Sequence, residues 1–196
     1  MGNKFFDIKT QAKPSLEIEE GNGFFVSKYL LAHYQKIKGL EKDLPRCPER
    51  EEFFFLQTDA AFNAFTFIPF VSRNESIKHL FASTYSISRR TIEALVEMHD
   101  KGVIEEITLM ISDSMRKRNP VTMDLLFGLA NTRANLHVQF AWVHAKVCLM
   151  QTMSGNYIVE GSGNWSENAQ YEQYVFANSK KLYEFRKELF TTSKLR

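Results

Sequence analysis

Cysteine is scarce in this 196-residue sequence: Cys47 and Cys148 are the only two, and they lie far apart. Two thiols without paired spacing exclude a disulfide framework and a cysteine-based zinc site. Long apolar runs are also missing. The most apolar stretch, residues 53–70, is interrupted by Gln57, Asp59, Asn63 and Pro69, so it does not read as a membrane span. The first residues, MGNKFFDIKTQAK, lack the apolar core of a secretory leader, and Phe6 stands where an N-myristoylation signal needs Ser or Thr. Neither sign of charge is in excess: 25 Lys and Arg oppose 23 Asp and Glu, a net charge of +2. Any binding of a polyanion must therefore come from a local basic patch. There is no internal repeat and no low-complexity tract. These absences lead us to expect a protein of a reducing, cytoplasmic compartment, off the membrane.

What is present is a core. Seventeen phenylalanines and a 44% hydrophobic content supply enough apolar area for a folded domain, and charged residues at 24% do not suggest disorder. The length suits one domain over residues 1–196, with residues 1–75 as an N-terminal elaboration and residues 76–196 as the main unit. After the Gly21-Asn22-Gly23 turn signal, residues 24–38 suit an amphipathic helix with Phe25, Tyr29, Ala32 and Ile37 on one face. Residues 44–52, with Pro45 and Pro48, suit a loop. Strands are expected at 53–56, 64–69, 77–83, 107–111, 136–141, 146–150, 157–160 and 174–177. Helices are expected at 88–99, 121–131 and 180–190. Ser88 is placed to cap the first and Gly102 to stop it, while Pro120 opens the second. This alternation predicts an α/β fold: a layered α/β/α sandwich around a central mixed, largely parallel sheet.

The segment with chemistry in it spans residues 143–176. His144 and Lys146 are two apart, so on a strand both side chains face one way. A turn at Gly155-Asn156 returns the chain to the loop Gly161-Ser162-Gly163-Asn164. Together these gather an imidazole, an ammonium, a hydroxyl and an amide. The set suits attack on a phosphate ester, with the imidazole as nucleophile or base and Lys and Asn on the phosphoryl oxygens. Alone, His-x-Lys is an ordinary exposed strand pair and Gly-Ser-x-Asn an ordinary turn. Their occurrence in order, after a strand–helix–strand unit and before Glu172, is what carries weight.

That order resembles the signature of the phospholipase D superfamily, HxKxxxxD followed by GSxN. The likeness centres on residues 143–176. A weaker likeness reaches back to about residue 77, where IKHLFASTYSISRRTIEALVEMHDKGVIEEITLMISD is similar to the strand–helix–strand preceding the family's motif. The resemblance implies a phospholipase D-like fold and a phosphodiesterase that needs neither metal nor cofactor. It implies that His144 attacks phosphorus to give a phosphohistidine, that Lys146 and Asn164 bind phosphoryl oxygens, and that Ser162 positions the phosphate. Glu172 would orient the nucleophilic ring through its other nitrogen. Two positions depart from the pattern. Gln151 stands at the motif aspartate, and nine residues, where six are common, separate it from Gly161, which fits a longer hairpin tip around Met153-Ser154-Gly155. With one motif in place of two, the resemblance implies a homodimer with a shared site, as in the small single-motif endonucleases of the superfamily. The implied substrate is DNA or RNA. Two other readings stand behind it: a catalytically impaired module that binds nucleic acid or nucleotide, and, less favoured, a phospholipid phosphodiesterase.

Other residues admit two readings. Arg116, Lys117 and Arg118 form a compact basic run that is either a solvated loop or a contact to the phosphate backbone. Trp165 either stacks on a substrate base or packs at the mouth of the site. Ser83, Thr84 and Tyr85 end a strand, where open α/β sheets meet ligands. His79, His99 and His137 suit structural or surface positions, and no histidine pair has metal-ligand spacing.

Overall fold

The computed structural model describes residues 34–37, 39–58, 63–166, 171–192 and 195. Its centre is an eight-stranded mixed sheet. In chain order the strands are β1 (Tyr34–Ile37), β2 (Glu52–Thr58), β3 (Ile77–Thr84), β4 (Ile104–Ser112), β5 (Leu136–Ala141), β6 (Val147–Gln151), β7 (Asn156–Gly161) and β8 (Glu172–Asn178). Across the sheet they run β1-β2-β8-β7-β6-β3-β4-β5. The helices are α1 (Leu40–Asp43), α2 (Phe67–Val71), α3 (Arg89–Asp100), α4 (Ser114–Arg118), α5 (Pro120–Ala130) and α6 (Lys180–Thr192).

Strand alternation divides the side chains between two cores. Leu80, Ala82, Leu109, Cys148, Val159, Tyr174 and Phe176 join a cluster with Phe67, Ile92, Leu95 and Leu126 from the helices. Phe81, Met110, Leu149, Ile158 and Ala177, offset by one residue, join Leu182, Tyr183 and Phe190 of α6 on the other face. Helices thus lie against both faces. Local signals place α3 and α5 as expected. The Ser88 hydroxyl accepts from the Thr91 N–H and caps α3. Gly102 ends that helix with φ of +71°, a conformation that costs glycine nothing. Asn119 caps α5, and Pro120 occupies its first turn, where a missing N–H is harmless.

The structure departs from expectation in four places. The sheet is not largely parallel. β1–β2, β3–β4 and β4–β5 pair in parallel, but β2–β8, β8–β7, β7–β6 and β6–β3 are antiparallel. β6, β7 and β8 follow one another with no helix between them, and such a meander can only pair antiparallel. Residues 64–69 form a 3-10 turn (Ala64–Thr66) running into α2, not a strand. Residues 34–37 of the expected first helix form β1; residues 24–33 and 38 of that helix lie outside the described residues. Finally, the basic run belongs to the short helix α4, not to a loop.

Phe67 shows why residues 64–71 coil. Its side chain is fully buried, with ring centroids 5.3 Å from Tyr174 and 5.1 Å from Phe176. The apolar run of α2 is thus spent on covering β8. Truncation of Phe67 to Ala is expected to cost about 3–5 kcal/mol, the usual range for a fully buried phenylalanine, read by urea or thermal unfolding. A loss below about 1 kcal/mol would contradict this packing.

Candidate active site

One edge of the sheet collects the expected residues. It is formed by the ends of β3, β4, β5, β7 and β2 and by the starts of β6 and β8. The register shows this directly: Ser83 lies opposite Val147, Val147 opposite Glu160, and Thr58 opposite Glu172. His144 and Lys146 do not sit on a strand; they occupy the irregular segment that leads into β6. Two contacts fix this segment. The buried Ser83 hydroxyl donates to the Ala145 carbonyl at 3.0 Å and accepts from the Val147 N–H at 3.3 Å. The Gly161 N–H donates to the Lys146 carbonyl at 3.3 Å.

The two motif side chains meet. Lys146 Nζ stands 2.9 Å from His144 Nδ1. His144 is exposed and Lys146 half-buried. Burial holds the Lys146 ammonium below the ordinary lysine range, opposed by the negative field of Glu172 and the Tyr85 phenol. The ammonium also stands 3.4 Å from His144 Nε2, so it lies against the ring between the two nitrogens.

The second half of the motif is held on β8. Glu172 is 6% exposed and accepts a hydrogen bond from the Ser162 hydroxyl. Ser162 Oγ also accepts from the Gln173 N–H at 3.1 Å, and the Ser162 N–H donates to the Gln173 carbonyl at 3.1 Å. The loop therefore lies flat on β8, over Tyr174, and leaves no room for side chains. A Cβ at Gly161 would overlap the Gln173 carbonyl and the Tyr174 ring, and one at Gly163 would overlap the Tyr174 hydroxyl. Burial, aided by the Glu172 charge, raises the Tyr174 phenol far above the ordinary range, so it is neutral here. Asn164 Oδ1 is buried without a hydrogen-bond partner among the described residues, an amide not fully committed to the fold.

The structure thus gathers His144, Lys146, Ser162, Asn164 and Glu172 on one edge, with two adjustments. Glu172 binds Ser162, and among the described residues the His144 ring meets Lys146 and Tyr85. Trp165 is 1% exposed and cannot stack on a ligand. It packs edge-on against Phe65 at 5.7 Å, and its N–H and carbonyl bond to Ser86 and Ser88 at 3.1 Å. Of the basic run, Arg118 comes nearest to the site: its guanidinium lies 4.4 Å from the Tyr85 ring centroid, and that ring lies 4.7 Å from His144. Arg116 lies over Phe140 at 4.0 Å, and Lys117 is exposed. Sequence reasoning placed Ser83, Thr84 and Tyr85 at a strand end where ligands are met, but not Ser83 as the clamp of the motif segment or Tyr85 beside the His144 ring. Their signal was three hydroxyl residues, Ser83-Thr84-Tyr85, ending an apolar strand. Gln151 lies at the far end of β6, paired with His79 and Asn156, about five residues or ~16 Å from Lys146. The β6–β7 connection, residues 152–155, is closed by the Thr152 N–H on the Gly155 carbonyl at 3.0 Å. Among the described residues, no group of three or more His, Cys, Asp or Glu side chains is placed to hold a metal ion.

No protein-family model matches the sequence, and no curated protein does. Among solved structures the chain is similar to a polyphosphate kinase from Porphyromonas gingivalis, at 11% identity with a TM-score of 0.50, over 70% of this chain and 25% of the kinase. It is also similar to TrmBL2, an archaeal chromatin protein described with a novel mode of DNA binding, at 9% identity with a TM-score of 0.49, over 73% of this chain and 54% of that one. The chain spans about a quarter of the kinase. At such identities the likeness to the kinase concerns the fold alone.

Two outcomes test this geometry. Gly163→Ala is expected to lower stability by about 1–3 kcal/mol through overpacking, and adding Tyr174→Phe to recover part of that loss in denaturant unfolding. A Gly163→Ala protein of wild-type stability would contradict the close approach. Because burial depresses Lys146, its charge is lost at lower pH than that of an ordinary lysine. Inorganic phosphate affinity, measured by titration calorimetry, is therefore expected to fall early on the alkaline side, and Lys146→Arg to move that fall to higher pH. Identical profiles for the two proteins would remove Lys146 from the binding site.

Proposed function

We propose that this protein is a metal-independent phosphodiesterase of phospholipase D type, acting on nucleic acid, most simply DNA, as a homodimer. The observation that carries the reading is the exposed His144 ring held beside Lys146, at the edge that also carries Ser162, Asn164 and Glu172. Without substrate, Lys146 Nζ rests against the imidazole. An arriving phosphate offers a stronger, charged acceptor, draws the ammonium away, and frees the ring as nucleophile. A His144 nitrogen then forms a bond to phosphorus as the bond to the leaving oxygen breaks. Lys146 and the Asn164 amide hold the non-bridging oxygens, and the basic residues of α4 contact neighbouring phosphates. The leaving oxygen takes a proton from a second imidazole, which later removes one from the water that breaks the P–N bond.

One chain supplies one such imidazole, so the second comes from a second copy across a two-fold axis. His144 is exposed at this end of the sheet, as are Trp142, two residues before it, and Tyr171, just before β8, at 78% and 74%, a surface suited to being covered by another subunit. The phospholipase D-like α/β/α layering belongs to the same proposal. A module that binds without turnover would keep the same phosphate contacts. However, Gln151, the residue that raises that reading, lies at the opposite end of β6 from Lys146.

Plasmid DNA incubated with the protein in excess EDTA is expected to be nicked or cut, and His144→Ala to lose at least about 10³-fold in rate. Absence of cleavage of DNA and RNA at every protein concentration, with binding retained and steeply salt-dependent, would replace the enzyme by the binding module.

A further inference from the structure

A nucleophilic ring needs a fixed orientation, and few contacts are placed to give His144 one. Glu172, the residue expected to orient it, accepts from the Ser162 hydroxyl. Among the described residues the His144 ring meets Lys146 and Tyr85. In the proposed reaction Lys146 is drawn to the arriving phosphate, so its contact with the ring ends on binding. The Tyr85 contact makes no such demand. The two ring centroids stand 4.7 Å apart with the planes inclined at 47°, within the range of attractive ring contacts.

Tyr85 is half-buried and is itself held from several sides. Before it, Thr84 ends β3 and is fully buried. The Thr84 hydroxyl donates to the Ser86 carbonyl at 2.8 Å and accepts from the Trp165 N–H at 3.2 Å. After it, the Ser86 carbonyl accepts from the same Trp165 N–H at 3.1 Å. The Ser86 and Ser166 hydroxyls are bonded at 2.9 Å, and Ile87 forms a parallel bridge with Trp165. Over the Tyr85 ring lies the Arg118 guanidinium, 4.4 Å from the centroid, with one nitrogen 3.4 Å from the Tyr85 carbonyl. The buried Trp165 thus has a use that stacking on a ligand would not give it. It fastens the turn bearing Tyr85 to the residue that follows Asn164.

We propose that Tyr85 is the positioning residue of His144: its ring is the fixed wall against which the imidazole is set, and Trp165 ties that wall to the loop bearing Asn164. The two halves of the motif are held in register through this tie. The proposal rests on the phosphodiester reading and deepens it by naming what orients the nucleophile once Lys146 has moved to the phosphate. The aromatic ring does the holding, and the phenol bonds to no reacting atom. Such a wall matters because displacement of a reacting group by about 1 Å can cost about 10²-fold in rate.

Turnover of bis(4-nitrophenyl) phosphate by the full chain, with kcat and KM determined separately, tests the assignment. Tyr85→Phe keeps the ring and is expected to stay within about threefold of wild type. Tyr85→Leu keeps bulk without an aromatic face and is expected to lose about 10²-fold in kcat, with KM changed by less than about threefold. Tyr85→Met serves in its place if that protein does not fold. Wild-type kcat in either folded variant overturns the proposal. So does a Tyr85→Phe protein as impaired as Tyr85→Leu, since the phenol would then be the acting group. A second readout needs no turnover. The ring-proton NMR signals of His144, identified by their loss in His144→Ala, are expected to be displaced by the Tyr85 ring current in wild type and Tyr85→Phe, and to move toward free-histidine positions in Tyr85→Leu. Signals that do not move overturn the proposal. A chain that hydrolyses no phosphodiester, DNA included, but shows this change loses the phosphodiesterase reading and keeps Tyr85 as the residue that sets the ring.

Discussion

A carboxylate buried at the end of a strand needs partners, because taking charge out of water is costly unless hydrogen bonds and opposite charge compensate. Glu172 is such a group, and the candidate site is arranged around it. The Ser162 hydroxyl donates to it, and its field bears on the Lys146 ammonium. To bring Ser162 there, residues 161–164 must lie flat against β8, directly over Tyr174. Tyr174 cannot retreat, because Phe67 of α2 packs against it. Only glycine fits at positions 161 and 163 under that restriction. The spacing of the Gly-Ser-Gly-Asn loop is thus a packing requirement as well as a turn signal.

The other half of the site answers to a different restraint. Residues 144–146 precede the β6 ladder, and the segment is held by the buried Ser83 hydroxyl on Ala145 and Val147 and by the Gly161 N–H on the Lys146 carbonyl. His144 is exposed at this edge. Tyr85 stands beside its ring, and Arg118 lies over the Tyr85 ring. The proposed chemistry needs two imidazoles at one phosphate, which is why it calls for a second copy of the chain.

Much of this could be read from the amino-acid order. Apolar runs ended by polar residues gave β3, β4 and β5, and Ser88, Gly102 and Pro120 marked the bounds of α3 and the start of α5. The joint motif brought together residues 144, 146, 162, 164 and 172. What escaped was decided by contacts between distant residues. Residues 64–71 carry no clear period, and they coil because Phe67 is needed over β8. Trp165 follows the motif asparagine as a ligand-facing aromatic would, but Phe65, a hundred residues earlier, and the backbone of residues 86–88 draw it inward. The sheet's direction was legible and misjudged: three successive strands with no helix between them already imply antiparallel pairing. The substitution at Gln151, prominent in the motif, proves remote from the site once β6 is laid out.

The central claim is that the His144 imidazole itself bonds to phosphorus. The most direct measurement is rapid quenching into alkali during turnover of an oligonucleotide, followed by mass analysis of the proteolysed chain. The account predicts a phosphoryl-linked adduct on the peptide containing His144, accumulating before product and decaying with water attack. Continued cleavage with no adduct on that peptide, or an adduct on another residue, would contradict it.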